Sequence, residues 1–134
     1  MHVERLDRVV IRVRNIEKCV KELTELLNVK FDIVSGVPLH GKFARVAISP
    51  LGVELIEGEP FGIRSIVFKV ADLETVKVEM KNKGFYPAEE LQIGRLQELI
   101  YSLDDVLGVP GRIVFASYAV PHYALIALAD KKFK

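Results

Sequence analysis

Val9, Ile11 and Val13 alternate with Arg8, Val10 and Arg12 between Asp7 and Asn15. Period-two alternation rich in β-branched residues predicts a strand over 8–13. Residues 9, 11 and 13 then face a packed layer, and 8, 10 and 12 face the other way. After Asn15, a good N-cap, the period changes. Ile16, Cys19/Val20, Leu23 and Leu26/Leu27 recur at helical spacing. Further strands are predicted over 30–35, 43–49 and 53–57. The Gly- and Pro-containing stretch 36–41 (GVPLHG) reads as a loop, 50–52 as a hairpin turn and 58–62 (GEPFG) as a linker. The second half begins the same way. A strand is predicted over 63–70, then a helix capped by Asp72 with Leu73, Val76 and Met80 on one face and Gly84 at its end. Strands follow near 91–93 and over 96–103 and 111–118, with a turn over 104–108. Pro121 opens a last helix running through Ala129.

The order β-α-β-β-β thus occurs twice, and the residues support a duplication. A gapless shift of 57 positions carries the strand over 8–13 onto the strand over 65–70, Asn15 onto Asp72, Ile16 onto Leu73 and Glu22 onto Glu79. Strand alternation, helix cap and helix face all coincide. The predicted fold class is α+β. Two tandem βαβββ modules, 1–60 and 61–118, form a curved antiparallel sheet around a cleft, and 119–134 form a C-terminal helical tail. A pair of ferredoxin-like units would need a second helix per half, and no helical period runs between Phe31 and Glu57.

The segments LDRVVIRVRNIEKCVKELTELLNV, GVELIEG and GIRSIVFKVADLETVKVEMKNKGF carry a resemblance over about residues 5–118 to the vicinal oxygen chelate superfamily. That superfamily includes glyoxalase I, methylmalonyl-CoA epimerase, bleomycin-resistance proteins and extradiol dioxygenases. The resemblance implies four metal-ligand positions, two early in the first strand of each module and two in the last strands. Here they fall on Arg8, Glu54, Ser65 and Val114 (Ile113 if the last strand is shifted by one). One ligand type of four survives. A guanidinium is always protonated and has no lone pair to give. No metal and no other cofactor is therefore expected. His2, His40 and His122 share no ligand spacing, although the loop carrying His40 could fold over the cleft mouth.

Composition narrows the partners. The 134 residues are half hydrophobic, and 19 basic against 18 acidic residues leave a net charge of +1, which argues against nucleic acid. A single cysteine, Cys19, forms no internal disulfide, and its helical position reads as core. The N-terminal stretch lacks a signal's apolar centre, and no apolar run is long enough to span a bilayer. The expected setting is cytoplasmic, without a membrane partner. Ala124 to Ala129 is apolar on nearly all sides, so it should be buried on its own sheet or on a second subunit. Because members of the superfamily are often dimers, the resemblance implies a homodimer.

Strand parity assigns Arg8, Arg12, Ser65, Lys69, Glu54 and Arg112 to the cleft, with Arg45, Gln97, Glu98 and Tyr101 on strands of uncertain parity. Arg8 and Glu54 are candidate catalytic residues, and an ion pair between them would replace the metal. The adjacent arginine should lower the pKa of Glu54 and weaken it as a base. Arg12, Ser65, Lys69, Arg112 and His40 are candidate ligand-binding residues, and their excess of positive charge suits an anionic small molecule. Ser65 has no histidine partner for a nucleophilic triad. Tyr101 and Tyr118 could donate hydrogen bonds, or simply pack. Three functions stand at this point. The chain is a bleomycin-resistance-like module that binds a small anionic or amphipathic molecule. Or it is a metal-independent glyoxalase- or epimerase-type isomerase or lyase with Glu54 as base. Or it is a non-catalytic interaction protein.

Overall fold

A computed structural model describes residues 1–39 and 41–119. The expectations for His40 and for a helix after Pro121 lie outside the described residues. The elements are β1 (Val3–Val13), α1 (Ile16–Leu27), β2 (Asp32–Leu39), β3 (Lys42–Ile48), β4 (Val53–Glu57), β5 (Gly62–Val70), α2 (Leu73–Asn82), β6 (Glu89–Ile93), β7 (Leu96–Ser102), α3 (Leu103–Leu107) and β8 (Arg112–Ser117). Both long helices start at the expected caps. Asn15 accepts from Lys18 N and Asp72 from Glu74 N. Among the described residues no helix is long and apolar enough to cross a membrane.

The strands make one eight-stranded sheet in the order β2-β3-β4-β1-β5-β8-β7-β6. It is mixed, not antiparallel throughout. Each meander of three strands returns its last strand beside the first, so β4 runs parallel to β1 and β8 parallel to β5. The halves join through antiparallel β1 and β5. Their register gives the duplication an axis: Val9 faces Ile66, its own counterpart, while Arg8 faces Val67 and Val10 faces Ser65.

α1 covers one half of the outer face, where Ile16 packs with Phe31, Ala47 and Leu55. α2 covers the other half through Val76 and Met80, against Leu99, Tyr101 and Phe115. The inner face carries a third apolar cluster, which draws Val10, Val46 and Ile56 from one half and Val67, Ile100 and Val114 from the other. Burying such side chains supplies roughly 1.5–3 kcal/mol each, so the cleft floor is also core.

Two local expectations fail for identifiable reasons. Residues 36–39 continue β2, because a register shift between Val34 and Val37 absorbs Gly36 at φ 71°. Pro38 is tolerated because β2 is an edge strand. Residues 103–107 form the short helix α3, capped by Ser102 and ended by Gly108 in the left-handed region. Five residues are too few to show a helical period.

Candidate functional site

The site begins with a fault in a strand. Leu6 faces Phe68 and Arg8 faces Val67, so Asp7 is an extra residue in β1. A bulge re-aims side chains in this way. It turns Asp7 toward the guanidinium of Arg8, where strict alternation would send it to the other face. Gly52 permits the close packing behind it. At Gly52 (φ 86°) a Cβ would stand 3.0 Å from Asp7 O, and Val9 N donates to Gly52 O at 2.8 Å.

Arg8 is 4% exposed and stands among three carboxylates. Its Nε donates to Glu54 Oε1 at 2.6 Å, its Nη1 to Asp7 Oδ2 at 2.7 Å, and its Nη2 to Glu98 Oε2. Glu54 comes from β4, paired with Val10, and Glu98 from β7, paired with Ala116. The Tyr118 hydroxyl donates to Asp7 Oδ1 and accepts from Arg5 Nη2 at 3.1 Å. Burial, then the bond to Asp7, pushes Tyr118 up to about 12.

Three acids surround one cation, and this reverses the expectation for Glu54. Its pKa is raised above the ordinary value. Loss of water is the largest cause; Arg8 pulls it down, while Glu98 and Asp7 push it up again. The pairing with Arg8 is real, but burial outweighs it. Glu54 is thereby a better proton acceptor than a solvated glutamate, and its protonated form is closer to hand.

Above this hub lies a cavity of about 750 Å³, lined by both halves. Its walls are apolar, with Val34, Val37, Val46, Ile56, Leu96 and Ile100 among them, and Glu54, Glu98 and Arg8 lie at its floor. Arg12, Arg64 and Arg112 line it at the end where β1 finishes and β5 and β8 begin. Arg64 reaches the cleft by a second bulge. Val10 faces Ser65 and Ile11 faces Ile63, which leaves Arg64 as the extra residue of β5. Arg12 is held below its usual pKa, first by burial and then by Arg112 and Arg64.

The structure therefore brings together Arg8, Glu54, Arg12, Ser65 and Arg112. It does not bring Lys69. Lys69 matches Arg12 in the repeat, but β1 and β5 are antiparallel, so matched residues lie at opposite ends of the sheet. Its ammonium binds Glu4 at 2.6 Å and sits over the Tyr118 ring. Arg45 turns away to Glu17 on α1 and to Glu57, and Tyr101 lies under α2. Among the residues of uncertain parity, Glu98 lines the cleft and Gln97 does not. Sequence reasoning missed Asp7 and Arg64. Their bulges leave no mark in a period-two pattern.

A divalent ion does not fit these residues. The carboxylate oxygens that would converge on it already accept from three nitrogens of one guanidinium, and an ion there would meet a fixed positive charge. Among the described residues no group of three or more His, Cys, Asp or Glu side chains is disposed to hold a metal.

No protein-family model and no curated protein matches the sequence. Solved structures do match its shape. A hypothetical protein of Bacillus halodurans C-125 aligns with a TM-score of 0.72 at 19% identity, over 87% of this chain and 95% of that one. A Streptomyces coelicolor methylmalonyl-CoA epimerase variant, in complex with 2-nitronate-propionyl-CoA, aligns at 0.71 and 14%, over 89% and 100%. A 2,2',3-trihydroxybiphenyl 1,2-dioxygenase of Sphingomonas wittichii RW1 aligns at 0.64 and 12%, over 89% of this chain and 42% of that one. At these identities the likeness is one of fold.

Proposed function

From a chain with the vicinal oxygen chelate fold, we propose a small-molecule-binding protein that takes an amphipathic anion without a metal ion. The anionic group sits among Arg12, Arg64 and Arg112, and the apolar body lies along the valine and isoleucine walls toward Glu54. The observation that carries this reading is the pairing of an apolar cavity with an arginine-rich end. No carboxylate among the described residues pairs with Arg12 or Arg64. Guanidinium groups in a partly desolvated cleft favour carboxylate or phosphate ligands. The methylmalonyl-CoA epimerase neighbour holds an acyl-CoA analogue, which is itself an amphipathic anion. Calorimetry with decanoate and decanamide tests the reading. Decanoate should bind at least about tenfold more tightly, and Arg12→Gln should remove the difference. Equal binding of acid and amide would overturn it.

A second reading has its own observation, the raised pKa of Glu54 at the cleft floor. A buried carboxylate of increased basicity suits proton abstraction next to a carbonyl. Arg8, whose nitrogens already serve three carboxylates, holds Glu54 and Glu98 in place, and the positive charge of Arg12, Arg64 and Arg112 along the cavity favours developing negative charge. Exchange of the α-proton of a carboxylic thioester in D2O, followed by NMR, would show this chemistry. The exchange should vanish in Glu54→Gln, while anion binding persists. A homodimer also belongs to this proposal, and light scattering at micromolar concentration checks it.

A further inference from the structure

Resting on the anion-binding reading, we propose that Glu98 and Glu54 form an ammonium subsite at the cavity floor, so that the ligand is a chain with an acid at one end and a protonated amine at the other. Arg8 brings the two carboxylates together. Its Nε and Nη2 are neighbouring donors of one planar guanidinium, and they bind Glu54 from β4 and Glu98 from β7. Each glutamate gives one oxygen to that pairing. Glu54 Oε2 and Glu98 Oε1 accept no hydrogen bond among the described residues, although both side chains are about nine-tenths buried and line the cavity.

Charge points the same way. Asp7 has a second cation in Arg5, at 3.6 Å, but Glu54 and Glu98 have ion pairs with Arg8 alone among the described residues. Arg12 acts on Glu54 through space, without an ion pair. Burial and the neighbouring carboxylates raise the pKa of Glu54 against the pull of Arg8, so added positive charge is favourable there. A divalent ion would need the oxygens that Arg8 already holds. An ammonium brings three N–H donors of its own and can use the two oxygens left over. Glu98 also sets the length of the ligand. It is paired with Ala116, four residues along β8 from Arg112 at the arginine-lined end, which is about 13 Å at strand spacing. Ile100 and Val114, paired between them, are apolar. Side chains reach in from both ends, so a chain of octanoate length bridges the two charges.

Calorimetry with octanoate, octylamine, 8-hydroxyoctanoate and 8-aminooctanoate tests this. An ammonium carried into an apolar cavity with no answering charge weakens binding. Here 8-aminooctanoate should instead bind at least about tenfold more tightly than each of the other three. Glu98→Gln keeps the shape and removes the charge, and it should reverse the order of octanoate and 8-aminooctanoate. A preference that survives Glu98→Gln would overturn the assignment to Glu98. The native chain decides the rest, whatever that variant does to folding. Octanoate binding more tightly than 8-aminooctanoate would overturn the ammonium subsite and leave the anion-binding reading standing. Equal binding of 8-aminooctanoate and 8-hydroxyoctanoate would overturn the subsite too, since a neutral donor would then suffice. Octylamine binding as tightly as 8-aminooctanoate would overturn the anion-binding reading and leave only the subsite. Failure of all four to bind would overturn both.

Discussion

The same bulge occurs in both halves of the molecule and is used in opposite ways. In β1 the extra residue is Asp7, and in β5 its counterpart is Arg64. Asp7 falls beside a buried arginine and closes a ring of acids around it. Arg64 falls beside Ser65, the counterpart of Arg8, and joins two more arginines. The first bulge closes a set of opposite charges on one another at the cavity floor. The second sets like charges together at the cavity rim. A duplicated backbone feature therefore fixes where charge is aimed, and a single side chain decides whether that place becomes a structural hub or a ligand-facing edge.

The sharpest way to break this contrast is to remove the cation from the hub. Arg8→Met would leave Asp7, Glu54 and Glu98 buried without their shared partner. Uncompensated buried charge of this kind costs on the order of 3–5 kcal/mol. Urea denaturation at pH 7 should show that loss, while Ser65→Ala, at the matching position, should change stability by no more than about 0.5 kcal/mol. Comparable losses at both positions would mean that the two bulges are not differentiated as described.

Next in size is the support of the bulge. Gly52→Ala places a Cβ 3.0 Å from Asp7 O at a backbone φ of 86°. Strain there should lower stability by about 1–3 kcal/mol. If the bulge does hold Asp7 against Arg8, the same variant should expose Tyr118 to solvent, which its near-ultraviolet absorbance in a solvent-perturbation titration would report.

Glu54→Gln sharpens the electrostatic side. The folded-state pKa of Glu54 is raised, so folding favours its protonated form. Its contribution to stability is full below the unfolded value, about 4.3, and is lost as pH rises through the folded value. Glu4, Glu57 and Asp72 have lowered pKa values and act in the opposite sense, losing their contributions as pH falls. Subtracting the stability–pH curve of Glu54→Gln from that of the native chain cancels those groups. The difference should decline with rising pH above about 4.3. A rising difference would mean that Arg8 dominates Glu54 after all.

These contrasts also mark what was legible in the chain. The duplication, both helix caps, the β4 limits and the facing of Arg8, Arg12, Glu54 and Ser65 follow from periodicity, because alternation and helical spacing are local. What escaped is non-local. Lys69 was placed with Arg12 because the repeat gives equivalence, whereas the antiparallel join of β1 and β5 gives position. Asp7 and Arg64 escaped because a bulge is decided by pairing across strands. The direction of the Glu54 shift escaped because it depends on Glu98 and Asp7, and on burial, as well as on Arg8.

The smallest expected effect lies under α2. Tyr101 is buried to 1% exposure, edge-on to Phe115, and its hydroxyl has no hydrogen-bond partner among the described residues. Burial raises its pKa above the ordinary value, and the Lys77–Glu90 ion pair acts on it from above. An unanswered hydroxyl in such a place costs free energy that the ring's packing must offset. Tyr101→Phe keeps the ring and removes the cost, so it should stabilise the fold by up to about 1 kcal/mol. Removal of the Tyr118 hydroxyl, which donates to Asp7, should instead destabilise by about 1–3 kcal/mol, since it leaves a buried carboxylate oxygen short of a donor. The opposite signs of these two tyrosine-to-phenylalanine changes, read in parallel urea titrations, would separate the packing half of the molecule's polar chemistry from the half that holds the site. If both variants lose stability, an ordered water bound to Tyr101 would be the structural reason, and its hydroxyl would belong to the fold.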